Sequence, residues 1–339
     1  IKACGTLFNT VMDIDPTVAM YIAAFIIVAY TFLGGFSAVC WTDFFQGMIM
    51  LAALLIAPLF ALALAKAGDG AVTGATLPEG FFNFFTTPQD IISGLGWGLG
   101  YFGMPHIIIR FMSLKSEKEL RKSSVIGISW TTIILIMSAL TAVAGRLYLG
   151  EIEDSSTVFI TMVRRIFPAL VSGLLLSAIL SAAMSTADSQ LLAASSAFAS
   201  DVYKPVIRKK ASDSEMLWAG RIVVIVIALV ALMIASDPNS DSIMGLVENA
   251  WGVFGAAFGP VILLSLFWKR LTFGGTVAGI AAGAAVDILW LMFLSSTGIY
   301  EIVPGFAAGL LAAVVVSLLS KGPGKDVEDL FDRAVDLKS

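Results

Sequence analysis

The sequence predicts an all-α integral membrane protein with about nine transmembrane helices. Of its 339 residues, 58% are hydrophobic and only 14% are charged, whereas soluble domains typically carry about 25% charged residues. Apolar stretches long enough to cross about 30 Å of hydrocarbon recur along the whole chain. They cover residues 17–39, 46–66, 90–112, 124–146, 167–198, 216–236, 245–268, 274–295 and 304–320.

Basic residues in the polar segments between these stretches predict the orientation of the chain. Fifteen Lys and Arg residues lie in the segments on one side and five in those on the other. Because cytoplasmic loops carry the excess of basic residues, we expect the first residue outside and the C-terminus in the cytoplasm. We therefore expect a multi-pass protein of the cell (inner) membrane, with a transmembrane bundle over residues 1–320 and a cytoplasmic tail over residues 321–339.

The third apolar stretch, "SGLGWGLGYFGMPHIIIRF", is rich in glycine and predicts a helix that is kinked or unwound around Pro105. Trp97 and Tyr101 are four residues apart on one face, and aromatic side chains there suit a small amphipathic solute or packing against other helices. Glycines at four-residue spacing predict close helix packing. They are Gly94/Gly98, Gly96/Gly100, Gly255/Gly259 and Gly275/Gly279/Gly283.

The stretch "SAAMSTADSQ" carries hydroxyl groups within an apolar helix. Its helical periodicity places four residues on one face: Ala182, Ser185, Thr186 and Ser189. Hydroxyl and carbonyl oxygens on such a face suit a small hard cation, and transporters place cation sites on irregular helices near the midplane of the membrane. The alternative is that these hydroxyls bond to their own helix or to a neighbouring one.

Acidic residues within apolar stretches are a further functional hypothesis. Asp188 and Asp287 are the most deeply placed, Glu248 lies near the outer end of its stretch, and Asp43 lies at the cytoplasmic end of the first. The alternatives are pairing with another helix or contact with water. Two cysteines and a single histidine, His106, argue against disulfide or histidine-based metal sites. No nucleophile and base converge in the sequence, so we expect neither an enzyme nor a nucleic-acid partner.

Four motifs then resemble those of the sodium:solute symporter family: "YTFLGGFSAVCWTDFFQ", "GWGLGYFGMPHIIIRFM", "LLSAILSAAMSTADSQLLAASSAFASDVYK" and "GVFGAAFGPVILLSLFWKR". The resemblance implies a secondary transporter of thirteen helices with a core of two inverted five-helix repeats. The nine stretches here are similar to the fifth to thirteenth helices. Because the chain opens with "IKACGTLFN", we expect the N-terminal helices of the same protein to complete the two sites.

The resemblance also implies roles for particular residues. Ala182 (through its carbonyl), Ser185 and Thr186 match sodium ligands, and Trp97, Tyr101 and Pro105 match substrate-binding positions. Asp43 resembles an acid of an additional cation path that would include Asp188 and Ser189. The family pattern has small uncharged residues where Asp188, Glu248 and Asp287 stand.

The implied activity is sodium-coupled uptake of L-proline or a similar small solute across the bilayer by alternating access, with sodium co-transported. One alternative is a sodium symporter for another amino acid, a sugar or a carboxylate. The other is the transporter-like module of a membrane sensor, which the short tail over residues 321–339 disfavours.

Overall fold

The computed structural model describes residues 1–72, 74–83, 86–237 and 239–336, apart from the side chains of residues 36, 37, 117 and 336. Within these ranges the chain is helical, and eight of its helices are long and apolar enough to cross a membrane. These are Pro16–Gly35, Ala38–Ala67, Lys118–Leu149, Ala169–Ile207, Asp213–Ser236, Ile243–Phe267, Phe273–Phe293 and Ile302–Leu319.

The twelve α-helices follow one another in chain order. They are α1 (Lys2–Met12), α2 (Pro16–Ala67), α3 (Pro88–Gly100), α4 (Pro105–Met112), α5 (Glu117–Leu149), α6 (Val158–Ile166), α7 (Ala169–Ala197), α8 (Asp213–Ser236), α9 (Ile243–Phe267), α10 (Phe273–Phe293), α11 (Ile302–Leu319) and α12 (Lys325–Asp336). A π-helix, Phe198–Ile207, continues α7, and short 3₁₀ turns cover Ser155–Thr157 and Ser295–Thr297.

Helix α2 is interrupted at Gly35, and this break separates the first two membrane-spanning helices. Gly35 has φ 63° and ψ −167°, a conformation that glycine adopts without the steric cost that a side chain would bring. The sequence placed the break later, between residues 39 and 46. Residue Thr42 is instead helical, and its hydroxyl donates to the carbonyl of Val39 at 2.9 Å. Asp43 consequently lies near the start of the second spanning helix, not at the end of the first.

The stretch predicted to span residues 90–112 forms two helices, so the described residues contain eight continuous spans where nine were predicted. Helix α3 ends at Gly100 and α4 begins at Pro105, and each is too short to cross a membrane alone. The interruption confirms the predicted unwinding around Pro105. Proline is well placed at the first position of α4, because that position needs no intrahelical N–H hydrogen bond.

The chain divides into two compact units, and the first comprises Ile1–Phe81 and Leu114–Ser240. Its largest core cluster joins five helices, α1, α2, α5, α6 and α7, mainly through small and aliphatic side chains. Ala53, Ala57 and Ala61 form a fully buried stripe of α2. They belong to the same cluster as Met162 of α6 and Leu175 of α7. A smaller cluster joins α2, α7 and α8 around Ile27, Leu191 and Val224.

The second unit comprises Phe82–Ser113 and Asp241–Ser339, and glycines bring its helices into close contact. A Cβ atom on Gly279 would lie 3.0 Å from the carbonyl oxygen of Gly309 in α11. A Cβ on Gly283 would overlap the carbonyl of Ala256 in α9. The predicted packing role is confirmed for these glycines and also for Gly96/Gly100, Gly255/Gly259 and Gly275. It is wrong for Gly94 and Gly98, whose Cβ positions meet no described atom within 4 Å.

Helix α12 forms the charged end of the second unit. Lys269, in the connection between α9 and α10, donates to Asp332 at 2.6 Å. This hydrogen bond raises the pKa of Lys269, since it stabilises the protonated amine. Arg270 donates to the carbonyl of Ser320 at 3.3 Å. Basic residues of the α9–α10 connection therefore fix the segment that follows α11.

Candidate functional site

The predicted sodium ligands lie on one face of α7, within the first unit. The hydroxyl of Ser185 donates to the carbonyl oxygen of Ala182 at 3.3 Å, which brings two of the expected ligand oxygens together. Thr186 is exposed. The sequence predicted loosened carbonyls here, whereas α7 is regular through these residues and the π-helical segment begins only at Phe198.

A second polar group lies beside this face and joins α7 to α2. The hydroxyl of Ser189 donates to Asp43 Oδ2 at 3.2 Å and lies 3.4 Å from Asp188 Oδ1. The hydroxyl of Tyr30 donates to Asp188 Oδ2 at 2.7 Å. The structure therefore brings together the three residues that the sequence assigned to an additional cation path, and it adds Tyr30 to them.

The break at Gly35 lies between the two α2 residues of this group. Tyr30 precedes the break and Asp43 follows it, so both spanning helices of α2 contribute one polar side chain. Asp188 is fully buried, and Met184 and Ala187 of the same helix pack against the cluster around Ile27, Leu191 and Val224. Carboxylate and hydroxyl oxygens are the ligands that hard cations prefer.

In the second unit, the predicted substrate residues belong to a cluster of four aromatic side chains. The ring of Trp97 lies 6.2 Å from Trp251 and 5.3 Å from Tyr300, and the ring of Tyr101 lies 4.9 Å from Trp251. Trp251 Nε1 donates to the carbonyl of Trp97 at 2.9 Å. That carbonyl is near the end of α3, where carbonyls have no intrahelical partner. The prediction that Trp97 and Tyr101 share a face is confirmed.

The interruption between α3 and α4 places Tyr101 and Pro105 on opposite sides of a short non-helical segment. A Cβ atom on Gly103 would overlap the carbonyl of Phe254, and one on Gly100 would overlap the indole of Trp251. These glycines let α9 approach the broken helix closely. Tyr101 is 46% exposed and Pro105 is also exposed, so both are accessible within this unit.

Acidic residues also gather in the second unit. Asp287 is fully buried and Glu301, which precedes α11, is 7% exposed. The backbone carbonyl of Glu248 accepts a hydrogen bond from the Tyr300 hydroxyl at 2.8 Å. Burial, together with the charge of Glu301, raises the pKa of Tyr300 well above its usual range. The hydroxyl of Tyr300 therefore stays protonated and acts as a donor.

Four residues of these groups were not identified from the sequence: Tyr30, Trp251, Tyr300 and Glu301. Tyr30 stands in the motif "YTFLGG" immediately before the break in α2, and aromatic residues with polar tips beside a glycine pair could have indicated it. Glu301 directly precedes an apolar stretch, so it is indistinguishable in sequence from a solvated residue at a helix end. Their roles follow from tertiary contacts.

Three features together are typical of a secondary transporter. They are helices of membrane-spanning length, polar groups on the interior of α7, and an aromatic cluster beside a broken helix. The sequence pattern of the sodium:solute symporter family matches residues 1–283. The chain belongs to this family, whose members are transporters and not enzymes.

Named relatives and a solved structure extend this match over almost the whole chain. The high-affinity proline transporter PutP of Bacillus subtilis is 43% identical over 99% of this chain and 72% of its own length. The osmoregulated proline transporter OpuE of the same organism is 42% identical over 96% and 68%. Sodium/proline symporter 2 of Staphylococcus saprophyticus is 42% identical over 97% and 67%.

The fold also matches a solved structure of a sodium-coupled sialic acid symporter in a substrate-bound, outward-open state. The TM-score is 0.75, the sequences are 20% identical, and the match covers 95% of this chain and 71% of the other. At this level of identity the likeness extends to the fold alone. It confirms the predicted all-α, multi-pass transporter architecture.

Proposed function

We propose that this protein is a sodium-coupled symporter that carries L-proline into the cell. The observation that carries the proposal is the identity of 42–43% with three transporters that are named for proline, over 96–99% of this chain. The sodium coupling rests on membership of the sodium:solute symporter family. The mechanism we propose is alternating access, in which sodium and the solute favour the same conformation.

Sodium coupling supplies enough free energy to accumulate the solute against its concentration gradient. One positive charge that moves inward across about 100 mV provides about 2.3 kcal/mol, and a tenfold sodium gradient adds about 1.4 kcal/mol. One sodium ion could therefore drive a several-hundredfold accumulation of a zwitterionic solute. Such coupling requires that sodium and proline each increase the affinity for the other by the same factor.

For the sodium ion we propose three ligands on α7: the Ala182 carbonyl, the Ser185 hydroxyl and the Thr186 hydroxyl. The 3.3 Å contact between Ser185 Oγ and the Ala182 oxygen supports this assignment, because two oxygens that already lie together need little rearrangement to face one ion. We propose that Asp43, Asp188 and Ser189 form an additional cation path. The hydrogen bond of Ser189 with Asp43 supports a continuous line of hard oxygen ligands.

For the solute we propose Trp97, Tyr101 and Pro105 as binding residues. Indole and phenol rings offer apolar faces that suit the pyrrolidine ring of proline. In the chain interruption beside them, Phe102 and Gly103 donate to the carbonyls of Leu99 and Gly100 in place of regular α-helical bonds. Irregular backbone of this kind is where transporters bind the polar groups of a solute.

For the orientation we propose that the C-terminus lies in the cytoplasm, with residues 1–320 as the membrane bundle and 321–339 as the tail. The excess of basic residues in the corresponding loops supports this proposal. A membrane-impermeant thiol reagent applied to intact cells should label Glu153→Cys but not Lys210→Cys in a variant without native cysteines. The opposite labelling pattern would reverse the orientation.

The experiment that tests the function is a solute panel in proteoliposomes. Purified protein should accumulate labelled L-proline when an inward sodium gradient is applied and should not do so with potassium alone. Other amino acids, a sugar and a carboxylate serve as competing solutes. Accumulation of another solute in preference to proline would favour a symporter of different specificity.

A further inference from the structure

Three helices of the second unit bring two acidic side chains together in a buried position. Asp287 of α10 is 0% exposed and Glu301, at the start of α11, is 7% exposed. Both face Gly252 of α9. A Cβ atom on Gly252 would lie 3.1 Å from Asp287 Oδ2 and 3.4 Å from Glu301 Oε1. An oxygen of each carboxyl group therefore borders the space that the missing side chain of Gly252 leaves.

Oxygen atoms of this pair have no hydrogen-bond partner among the described residues. This holds for both carboxyl oxygens of Asp287 and for Oε1 of Glu301. The ion pairs found in the described part of the chain also involve other residues. Two ionised carboxylates would repel each other here and would lose their hydration without compensation. A bound cation is therefore required, and the question is which one.

Between a metal ion and a proton, the available ligands favour the proton. Calcium takes about six to eight oxygen ligands, whereas this pair offers three unpartnered oxygens. Among the described residues, no group of three or more His, Cys, Asp or Glu side chains could hold a metal ion. A proton needs only one carboxyl oxygen to carry it and another to accept its hydrogen bond.

We propose that Asp287 and Glu301 form a proton-binding pair, in which a proton taken from water is carried by one carboxyl and so removes its repulsion with the other. The bound proton removes one of the two negative charges from the α9–α10–α11 junction. These residues are not among the proposed sodium ligands, and the inference does not depend on the proposed function.

Among the described residues, the titratable groups around the pair are acids and a tyrosine, and none of them supplies a positive charge. From α9 the nearest titratable residue is Glu248, and the loop before α11 contributes Tyr300, whose hydroxyl is engaged with the Glu248 carbonyl. On α3, which packs against α9 and α11, the acid Asp90 is held by Thr86 and Thr87 at the first turn. Burial, aided by the charge of Glu248, raises the pKa of Glu301.

Infrared spectroscopy of the purified full-length protein tests the pair directly. The C=O stretching band of protonated carboxyl groups is distinct from carboxylate bands, so a pH titration should show a protonated carboxyl in the wild type at neutral pH. Asp287→Asn and Glu301→Gln should each remove it. Glu153→Gln, which alters an exposed acid, is the matched control and should leave the band unchanged. A wild-type spectrum with no such band would overturn the proposal.

A second variant keeps both acids and changes only their contact. Gly252→Ala places a methyl group 3.1 Å from Asp287 Oδ2 and 3.4 Å from Glu301 Oε1, so the protonated band should titrate at a different pH than in the wild type. Gly94→Ala is the control, because a Cβ there meets no described atom within 4 Å. An identical titration in Gly252→Ala and wild type would show that the protonated carboxyl does not lie at Gly252, and would contradict the proposal.

The pair also predicts a pH dependence of stability. Because the folded pair binds the proton more tightly than the unfolded chain does, the unfolding temperature should fall as the pH rises. The fall begins near the ordinary carboxyl pKa of about 4. The difference in unfolding temperature between wild type and the Asp287→Asn/Glu301→Gln double variant isolates the contribution of the pair to this pH dependence.

The infrared band also distinguishes a proton from a metal ion. If calcium or sodium alone abolishes the protonated band at constant pH, the pair is a metal site and the proton assignment is wrong.

Discussion

Tyr30 donates a hydrogen bond from its hydroxyl to Asp188 Oδ2, and the 2.7 Å contact joins α2 to α7. The fully buried carboxyl thereby has a donor from a different helix, while Ser189 on its own helix lies 3.4 Å from the other oxygen. Glycine or alanine at position 188 has no side-chain oxygen to accept this bond. The bond therefore accounts for the one acid of "STADSQ" that the family pattern leaves unexplained.

The first prediction concerns this hydrogen bond. Tyr30→Phe should destabilise the protein by about 1–3 kcal/mol, because the buried oxygen of Asp188 loses its donor. A lower unfolding temperature of the detergent-solubilised protein would report the change. Tyr21→Phe is the matched control, since Tyr21 lies on the same helix and is 55% exposed. Equal decreases of the unfolding temperature in Tyr30→Phe and Tyr21→Phe would show that the hydrogen bond of Tyr30 with Asp188 does not stabilise the protein.

The second prediction concerns the proposed sodium ligands. Ser185→Ala or Thr186→Ala should raise the sodium concentration for half-maximal uptake at least about tenfold, which corresponds to about 1.4 kcal/mol of lost binding. Ser177→Ala is the control on the same helix, because its hydroxyl bonds to the carbonyl of Leu174. If uptake in both variants keeps the sodium dependence of the wild type, the ligand assignment is wrong.

The third prediction concerns the aromatic cluster. Trp97→Ala should raise the half-saturating proline concentration, since it removes the ring that contacts both Trp251 and Tyr300. Initial uptake rates over a range of proline concentrations measure the change. Leu95→Ala alters a 73% exposed residue of the same helix and should have little effect. An unchanged half-saturating concentration in Trp97→Ala would assign Trp97 to packing alone.

The fourth prediction compares two glycines of α3. Gly100→Ala should destabilise the protein by about 1–3 kcal/mol, because the new methyl group would overlap the indole of Trp251. Gly98→Ala should be neutral or slightly stabilising, since its Cβ position is open and alanine favours the helix. The unfolding temperatures of the two variants test this prediction. A larger decrease for Gly98→Ala than for Gly100→Ala would contradict the close packing of Gly100 against Trp251.

The sequence predicted the spanning helices well where an apolar stretch runs without interruption. Predicted residues 245–268 and 274–295 correspond to Ile243–Phe267 and Phe273–Phe293, because hydrophobic length alone decides such helices. The break before Pro105 was also predictable, since glycine and proline each weaken a helix locally. The break at Gly35 was placed too late, because residues 17–39 form one apolar stretch, and hydropathy does not register the positive φ that Gly35 adopts within it.

The candidate sites were predictable only in part. Helical periodicity identified the face that carries Ala182 and Ser185, because that relation is local. The partners Tyr30 and Glu301 lie 158 and 14 residues from Asp188 and Asp287, respectively, and no local pattern links residues at such separations. The same limit applies to Gly252, whose missing side chain matters only because two acids from other helices face it.

The most direct test of the account is the reciprocity of sodium and proline binding. Equilibrium binding of labelled proline to the purified protein should tighten when sodium replaces potassium. Sodium binding should tighten by the same factor when proline is added, as linkage between coupled sites requires. In Ser185→Ala both factors should fall together. A proline affinity that is the same in sodium and in potassium would contradict sodium-coupled symport of proline by this protein.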